Sequence, residues 1–246
     1  MIRLLLVVCA APAFALLLIA AIGTSIALGR RDGRAEVTAL APVLYALVVL
    51  AAAATAAALV GFRLRELSFE PGWDGPLRLP AAVAGGLALG VLAFLGELAV
   101  SERRVRRAVA APVASQPTGI QAVRLWGASP GMLIGLGLVT AVAEETLFRG
   151  YLLTGLRGSM PLAAAIAVQA AVFGAHHGSF GWRAIPAKFV HGVVWGAATA
   201  AAGSLVPALA AHAVFQVLAC RRLVRHRQAS SAGGEVRGAA QRSAVV

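Results

Sequence analysis

The apolar residues of this chain fall in long blocks that short polar or basic stretches separate. A hydrocarbon core about 30 Å thick requires roughly 20 apolar residues per helix, and several blocks meet that length. We therefore predict an all-α, polytopic membrane protein with about seven transmembrane helices, six to eight being the range. The predicted spans are residues 4–28, 37–62, 80–100, 132–153, 162–177, 185–202 and 205–220.

Composition agrees with this prediction. Apolar residues make up 59% of the chain and charged residues 13%, about half the charged share that is usual in soluble domains. The formal net charge is +12, which in a soluble protein would suggest nucleic-acid binding. Here the basic residues lie between and after the apolar blocks, where they set topology. We expect the lipid bilayer as a partner, and no nucleic acid.

The distribution of arginine predicts the orientation of the chain. Seven spans place fifteen arginines on one side of the membrane and five on the other. Because basic residues favour the cytoplasmic side, we place the C-terminus in the cytoplasm and the protein in the plasma membrane. If residues 108–126 also spanned, the count would be eight and the bias less clean.

The chain divides into three regions by composition. Residues 1–127 hold the N-terminal transmembrane helices and a basic cytoplasmic loop. Residues 128–222 hold most of the ionisable residues that lie within apolar blocks, and we expect this region to be the functional core. Residues 223–246 form a basic tail rich in Ala, Ser and Gly, a composition typical of disorder.

The fourth block carries three charged residues, Glu144, Glu145 and Arg149. Each costs on the order of 2.5–3.5 kcal/mol at the centre of a membrane helix, and spanning a membrane requires none of them. Glu145 and Arg149 are four residues apart, so they share a helix face and can pair. Glu144 projects in a different direction, where we expect it to face water or the polar groups of other helices.

Candidates for those polar groups follow in later blocks: His176 and His177, then His212 and, one turn further on, Gln216. Two chemistries suit such a set. Glu144 can act as a general base towards water with His177, while His212 and Gln216 donate hydrogen bonds to an oxyanion. Alternatively, Glu144, His177 and His212 can hold a zinc ion with an open fourth position, although the usual His-Glu-x-x-His signature is absent.

Three motifs, taken in order, resemble one known family. Residues 144–149 read Glu-Glu-Thr-Leu-Phe-Arg and resemble the Glu-Glu-x-x-x-Arg motif of the CAAX protease and bacteriocin-processing family, which includes the type II CAAX prenyl endopeptidases. Residues 173–177 resemble its Phe-x-x-x-His motif, which selects His177. Residues 203–212 resemble the stretch that leads to its last histidine. The resemblance covers about residues 130–222.

The resemblance implies an intramembrane endopeptidase in which Glu144 is the catalytic glutamate and His177 and His212 are its partners. It also suggests a glutamate-activated water without a tightly bound metal. The family's last motif is usually His-x-x-x-Asn or Asp, whereas this chain has Gln216, whose amide is one methylene further out. The expected substrate is a membrane-associated or lipidated peptide or protein.

Two other functions remain open from the sequence. The same polar residues can hold helices together in a membrane scaffold or regulator that has weak or no catalytic activity. They can also serve a small proton-coupled transporter in which Glu144 relays protons.

Overall fold

The computed structural model describes residues 47–52, 54, 55, 58, 78–108, 129–177 and 184–243. These residues are helical apart from short turns, and no strand occurs among them, which confirms the predicted all-α class. The elements are α1 (Arg78–Ala108), α2 (Pro130–Glu145), a π-helical segment (Thr146–Leu153), α3 (Thr154–Arg157), α4 (Leu162–His176), α5 (Ile185–Ala202) and α6 (Val206–Ser243).

Five predicted spans fall on these helices. Two of the described helices are long and apolar enough to cross a membrane, Leu79–Val100 in α1 and Pro130–Arg157 from α2 through α3. Helix α4 is also apolar but shorter. The predicted span 4–28, most of the span 37–62 and the segment 109–126 lie outside the described residues, so the count of seven stays a prediction.

Local sequence signals explain where several helices begin and end. Ser129 caps α2 by accepting a hydrogen bond on Oγ from the Met132 N–H at 3.2 Å, and Pro130 suits the first helical position. Helix α5 ends at Gly203, whose φ of 61° is a left-handed conformation that favours glycine. Ser204 then accepts a hydrogen bond from the Val206 N–H at 3.2 Å and opens α6.

The surface of α1 is strongly apolar. Leucine and valine side chains are exposed between Leu79 and Val100, with Leu92 the most exposed of them at 63%. A water-facing helix would carry charged residues on its outer face, so this surface suits contact with lipid. The exposed apolar side chains are Leu79, Val83, Leu87, Val91, Leu92, Leu95 and Val100.

Glycines allow two close helix contacts. On α1, a Cβ atom at Gly86 or Gly90 would collide with the backbone of α6 at Pro207 or Ala211. On α5, a Cβ atom at Gly192 would lie 2.7 Å from the Cα atom of Ala170 on α4. Small residues at such positions let neighbouring helices approach closely. The π-helical segment lies at the centre of the resulting bundle, where Phe148, Tyr151 and Leu152 are fully buried.

Helix α6 continues to Ser243, whereas the composition of residues 223–246 indicated disorder. Alanine and arginine are the most frequent helix formers in this stretch, which gives a local reason for the difference.

Candidate active site

A fully buried ion pair lies at the start of the π-helical segment. The Nη1 atom of Arg149 donates to the Oε1 atom of Glu145 at 2.9 Å, and neither side chain is exposed at all. The predicted pairing of these two residues is therefore confirmed. The guanidinium group also lies over the Phe173 ring, 4.2 Å from its centroid. Pairing and ring contact together offset part of the cost of burying both charges.

The same carboxylate holds a histidine from α6. The Nδ1 atom of His212 lies 2.8 Å from Glu145 Oε1. Because a carboxylate beside an arginine accepts hydrogen bonds, Nδ1 carries the hydrogen and donates it. The Nε2 atom of His212 consequently presents a lone pair in its neutral form. Glu145 thus links Arg149 of its own turn to His212 of a distant helix.

Glu144 faces three histidine rings. Its Oε2 atom lies 3.8 Å from the Nε2 atom of His177 and 3.8 Å from the Nε2 atom of His212. Its Oε1 atom lies 3.9 Å from the Nε2 atom of His176. All four side chains are buried. The predicted convergence of a carboxylate and two imidazoles from three helices is therefore present, and His176 joins it.

A backbone carbonyl sets the orientation of His177. Its Nδ1 atom lies 2.9 Å from the Phe173 carbonyl oxygen, one turn earlier in α4. A carbonyl only accepts, so Nδ1 donates and Nε2 is the lone-pair nitrogen that faces Glu144. His177 and His212 therefore both present an unprotonated Nε2 towards the same carboxylate oxygen, each held by a hydrogen bond on the opposite side of the ring.

Gln216 lies within reach of this centre. Its Nε2 atom is 3.3 Å from the Nε2 atom of His212, so the amide donates to the lone pair of that ring. Its side chain packs beside Gly137 of α2, where an added Cβ atom would lie 3.4 Å from the Cβ atom of Gln216. The longer side chain thus still brings an amide donor to His212.

The π-helical segment follows the two glutamates directly. Thr146 Oγ1 donates to the Val142 carbonyl at 2.8 Å, and Thr154 Oγ1 donates to the Arg149 carbonyl at 3.3 Å. These side-chain bonds compensate for the disturbed helical ladder on either side of the segment. π-helical turns are rare and are frequent at functional sites. The sequence carried no recognisable signal for this one.

The distances between Glu144 and the two histidine nitrogens can be compared with those between the ligands of a zinc ion. Zinc with bonds of about 2.0–2.1 Å in tetrahedral geometry holds its N and O ligands only about 3.3 Å apart. The Glu144 oxygen is 3.8 Å from both ring nitrogens, and the described residues include no group of three or more His, Cys, Asp or Glu arranged to hold a metal. A water held by hydrogen bonds of about 2.8 Å can also bridge groups at this separation.

Sequence reasoning passed over two residues that the structure places at the centre. His176 was set aside in favour of His177, yet it approaches the other oxygen of Glu144. Trp195 belongs to none of the motifs, yet its ring packs on His212 with centroids 4.7 Å apart. Its position four residues after His191 on one face of α5 is the only sequence signal that pointed to it.

Comparison with known proteins bears on the same residues. Residues 126–218 match the family model described as type II CAAX prenyl endopeptidase Rce1-like, which covers a little over a third of the chain and includes every residue of the site described above. No curated protein and no solved structure matches the chain.

Proposed function

We propose that this chain, whose residues 126–218 belong to the type II CAAX prenyl endopeptidase Rce1-like family of membrane-embedded proteases, hydrolyses peptide bonds of membrane-associated substrates. The observation that carries the proposal is the position of the Glu144 carboxylate, 3.8 Å from the Nε2 atoms of both His177 and His212. The gap between Glu144 and His177 suits one water molecule that donates one hydrogen bond to each of them.

In this mechanism Glu144 is the general base. It takes a proton from the bridging water while the water oxygen attacks the peptide carbonyl carbon, and the carbonyl electron pair becomes an oxyanion. The lone pair of His177 Nε2 orients the water. When the carbon–nitrogen bond breaks, the proton held by Glu144 passes to the leaving nitrogen, which departs as an amine.

The oxyanion would be stabilised from α6. The Gln216 amide supplies one N–H donor. His212 Nε2 accepts a hydrogen bond in the described geometry, so His212 donates to the oxyanion only when it is protonated. The Glu145 carboxylate stabilises that imidazolium through the 2.8 Å contact to Nδ1, as a buried aspartate does in a serine protease triad.

Arg149 has a supporting role in this proposal. Its guanidinium group pairs with the Glu145 carboxylate at 2.9 Å in a fully buried position. Glu145 in turn holds the tautomer and the orientation of His212. Arg149 and Glu145 are thus positioning residues, and Glu144, His177, His212 and Gln216 are the groups that contact water or substrate.

Substrate class and location extend the proposal. A site built on apolar helices suits a peptide that reaches it from the bilayer, either through a lipid group or through a membrane anchor. The arginine distribution supports a plasma-membrane protein whose C-terminus is cytoplasmic.

A peptide-cleavage assay in proteoliposomes tests the function. Purified wild type would be offered a library of membrane-anchored, quenched-fluorescent peptides and compared with Glu144→Gln, both with and without a chelator. We expect cleavage by wild type alone, a fold unchanged in the variant, and activity that resists the chelator. Loss of activity with the chelator would instead assign a metal to Glu144, His177 and His212.

Absence of cleavage by folded wild type would contradict the protease. In that case solute uptake by the same liposomes under a pH gradient separates a proton-coupled transporter from a scaffold that uses the buried ion pairs only to hold its helices together.

A further inference from the structure

Further buried polar atoms lie on α5, which carries Trp195, and on two elements packed against it, beside the centre that contains Glu144. On α5, Trp195 Nε1, Thr199 Oγ1 and His191 Nδ1 are buried and have no hydrogen-bond partner among the described residues. On α4, the same holds for both amide atoms of Gln169. In the π-helical segment, Nε and Nη2 of Arg149 are also buried without a hydrogen-bond partner among the described residues. The ion pair with Glu145 uses the third nitrogen, Nη1.

The three groups on α5 lie on one face of the helix, because residues 191, 195 and 199 are each four positions apart. The His191 ring stacks on the Trp195 ring, with centroids 5.1 Å apart and an interplanar angle of 23°. On its other side Trp195 packs on His212 at 4.7 Å. This face of α5 therefore runs from the proposed catalytic histidine into the interior of the bundle.

Contacts from neighbouring elements close the cluster. A Cβ atom at Gly196 would lie 2.9 Å from Gln169 Oε1, so the Gln169 amide rests against α5 where that helix has no side chain. The Cζ atom of Arg149 lies 5.4 Å from the centroid of the Trp195 ring. Gln169 and Arg149 are completely buried, and Trp195 is 1% exposed.

Such a concentration of unsatisfied buried groups is unusual, since folded proteins leave only a few per hundred residues. The chemistry of the set indicates its ligand. Gln169 and Thr199 each supply a donor and an acceptor, and Trp195 and Arg149 donate, so a ligand that both donates and accepts can satisfy the set. Water donates and accepts, and a buried water typically makes about three hydrogen bonds to groups of this kind.

We propose that Gln169, Trp195 and Thr199 line a pocket of buried water, and that this pocket supplies the water that Glu144 activates. The role of this pocket in supplying water rests on the proposed function. A hydrolase whose active site is surrounded by lipid-facing helices cannot draw on bulk water from every side. Water held beside Trp195, whose ring packs on His212, would replace each water molecule that the reaction consumes.

A structure at a resolution that shows ordered water tests the pocket itself. We expect water within hydrogen-bonding distance of Trp195 Nε1 and of the Gln169 amide in wild type, and loss of part of that water in Gln169→Leu. A dry pocket, or side chains rearranged so that they satisfy one another, would overturn the proposal. This result does not depend on catalytic activity, so it stays decisive even if no peptide is cleaved.

Kinetics tests the supply of water. Thr199→Val and Gln169→Leu remove polar atoms at nearly constant volume, and we expect kcat to fall about tenfold, which corresponds to about 1.4 kcal/mol. KM should stay unchanged because neither residue contacts the peptide. Thr199→Ser retains the hydroxyl group and should retain wild-type kcat.

Thr140→Val is the matched control, since Thr140 is a half-buried threonine on α2 outside the pocket. Its kcat should equal that of wild type. Equal kcat for Thr199→Val, Gln169→Leu and wild type, in a protein that cleaves peptides and contains the water, would overturn the supply role.

Discussion

His212 and Glu145 lie 67 residues apart in the chain, and their side chains meet at 2.8 Å between Nδ1 and Oε1. The contact joins α6 to the end of α2 and leaves Nε2 of the ring directed at Glu144, 3.8 Å away. Two adjacent glutamates thus act on opposite sides of one imidazole. Glu145 orients the ring through Nδ1, and Nε2 faces the Glu144 oxygen that His177 also approaches.

Removal of Arg149 should strongly destabilise the protein. In Arg149→Ala, the Glu145 carboxylate would remain completely buried without its cation, a change that costs about 3–5 kcal/mol. Unfolding in detergent micelles measures the loss. Arg157→Ala is the control, because Arg157 is exposed at the end of the same helical segment and should change stability by less than about 0.5 kcal/mol. Equal effects from the two substitutions would contradict the role of the buried pair.

The two adjacent histidines should differ in their effect on catalysis. His177 is held by the Phe173 carbonyl, and its Nε2 atom faces the same Glu144 oxygen as His212. We expect His177→Ala to lower kcat about 100-fold, in the range of a lost acid–base partner. His176 approaches the other oxygen, and His176→Ala should lower kcat less than about tenfold. Single-turnover cleavage of one peptide compares them, and the reverse order would reassign the partner of Glu144.

We expect catalysis to require the amide group of Gln216 but not the methylene group that distinguishes glutamine from asparagine. Gln216→Leu removes the donor that lies 3.3 Å from His212 Nε2, and we expect kcat to fall about 100-fold, as for a lost oxyanion donor. Gln216→Asn preserves the amide and should retain most of the activity. Steady-state kinetics with both variants distinguishes the two effects. If Gln216→Leu is as active as wild type, this side chain has no part in stabilising the oxyanion.

Neighbouring glycines on α1 provide a matched test of helix packing. A Cβ atom at Gly86 would lie 2.8 Å from the Cβ atom of Ala210 and would collide with the backbone at Pro207, while one at Gly85 meets nothing within 4 Å. Gly86→Ala should therefore cost about 1–3 kcal/mol through overpacking. Gly85→Ala should be neutral or slightly stabilising, since alanine favours helix. Thermal unfolding in micelles reports both, and a neutral Gly86→Ala would mean that α1 and α6 separate easily.

Local features of the chain determined where helices form and which residues pair within the segment that carries Glu145 and Arg149. The block predicted at 185–202 matches α5 at both ends, because Pro186 near its start and Gly203 just beyond its end mark a helix through their own backbone preferences. The Glu145–Arg149 pair was equally predictable, since residues four apart on a helix meet whatever surrounds them. The order and spacing of the three motifs likewise predicted a resemblance to the family whose model matches residues 126–218.

The tertiary structure decided which polar groups meet across helices. His176 and His177 are adjacent residues of the same type. The orientation of α4 relative to α2 brings His176 to Oε1 of Glu144 and His177 to Oε2. The cluster around Trp195 arises because Gly196 admits the Gln169 amide from another helix. Such contacts depend on the distances and rotations between helices that are far apart in sequence, which the apolar pattern of each helix leaves undetermined.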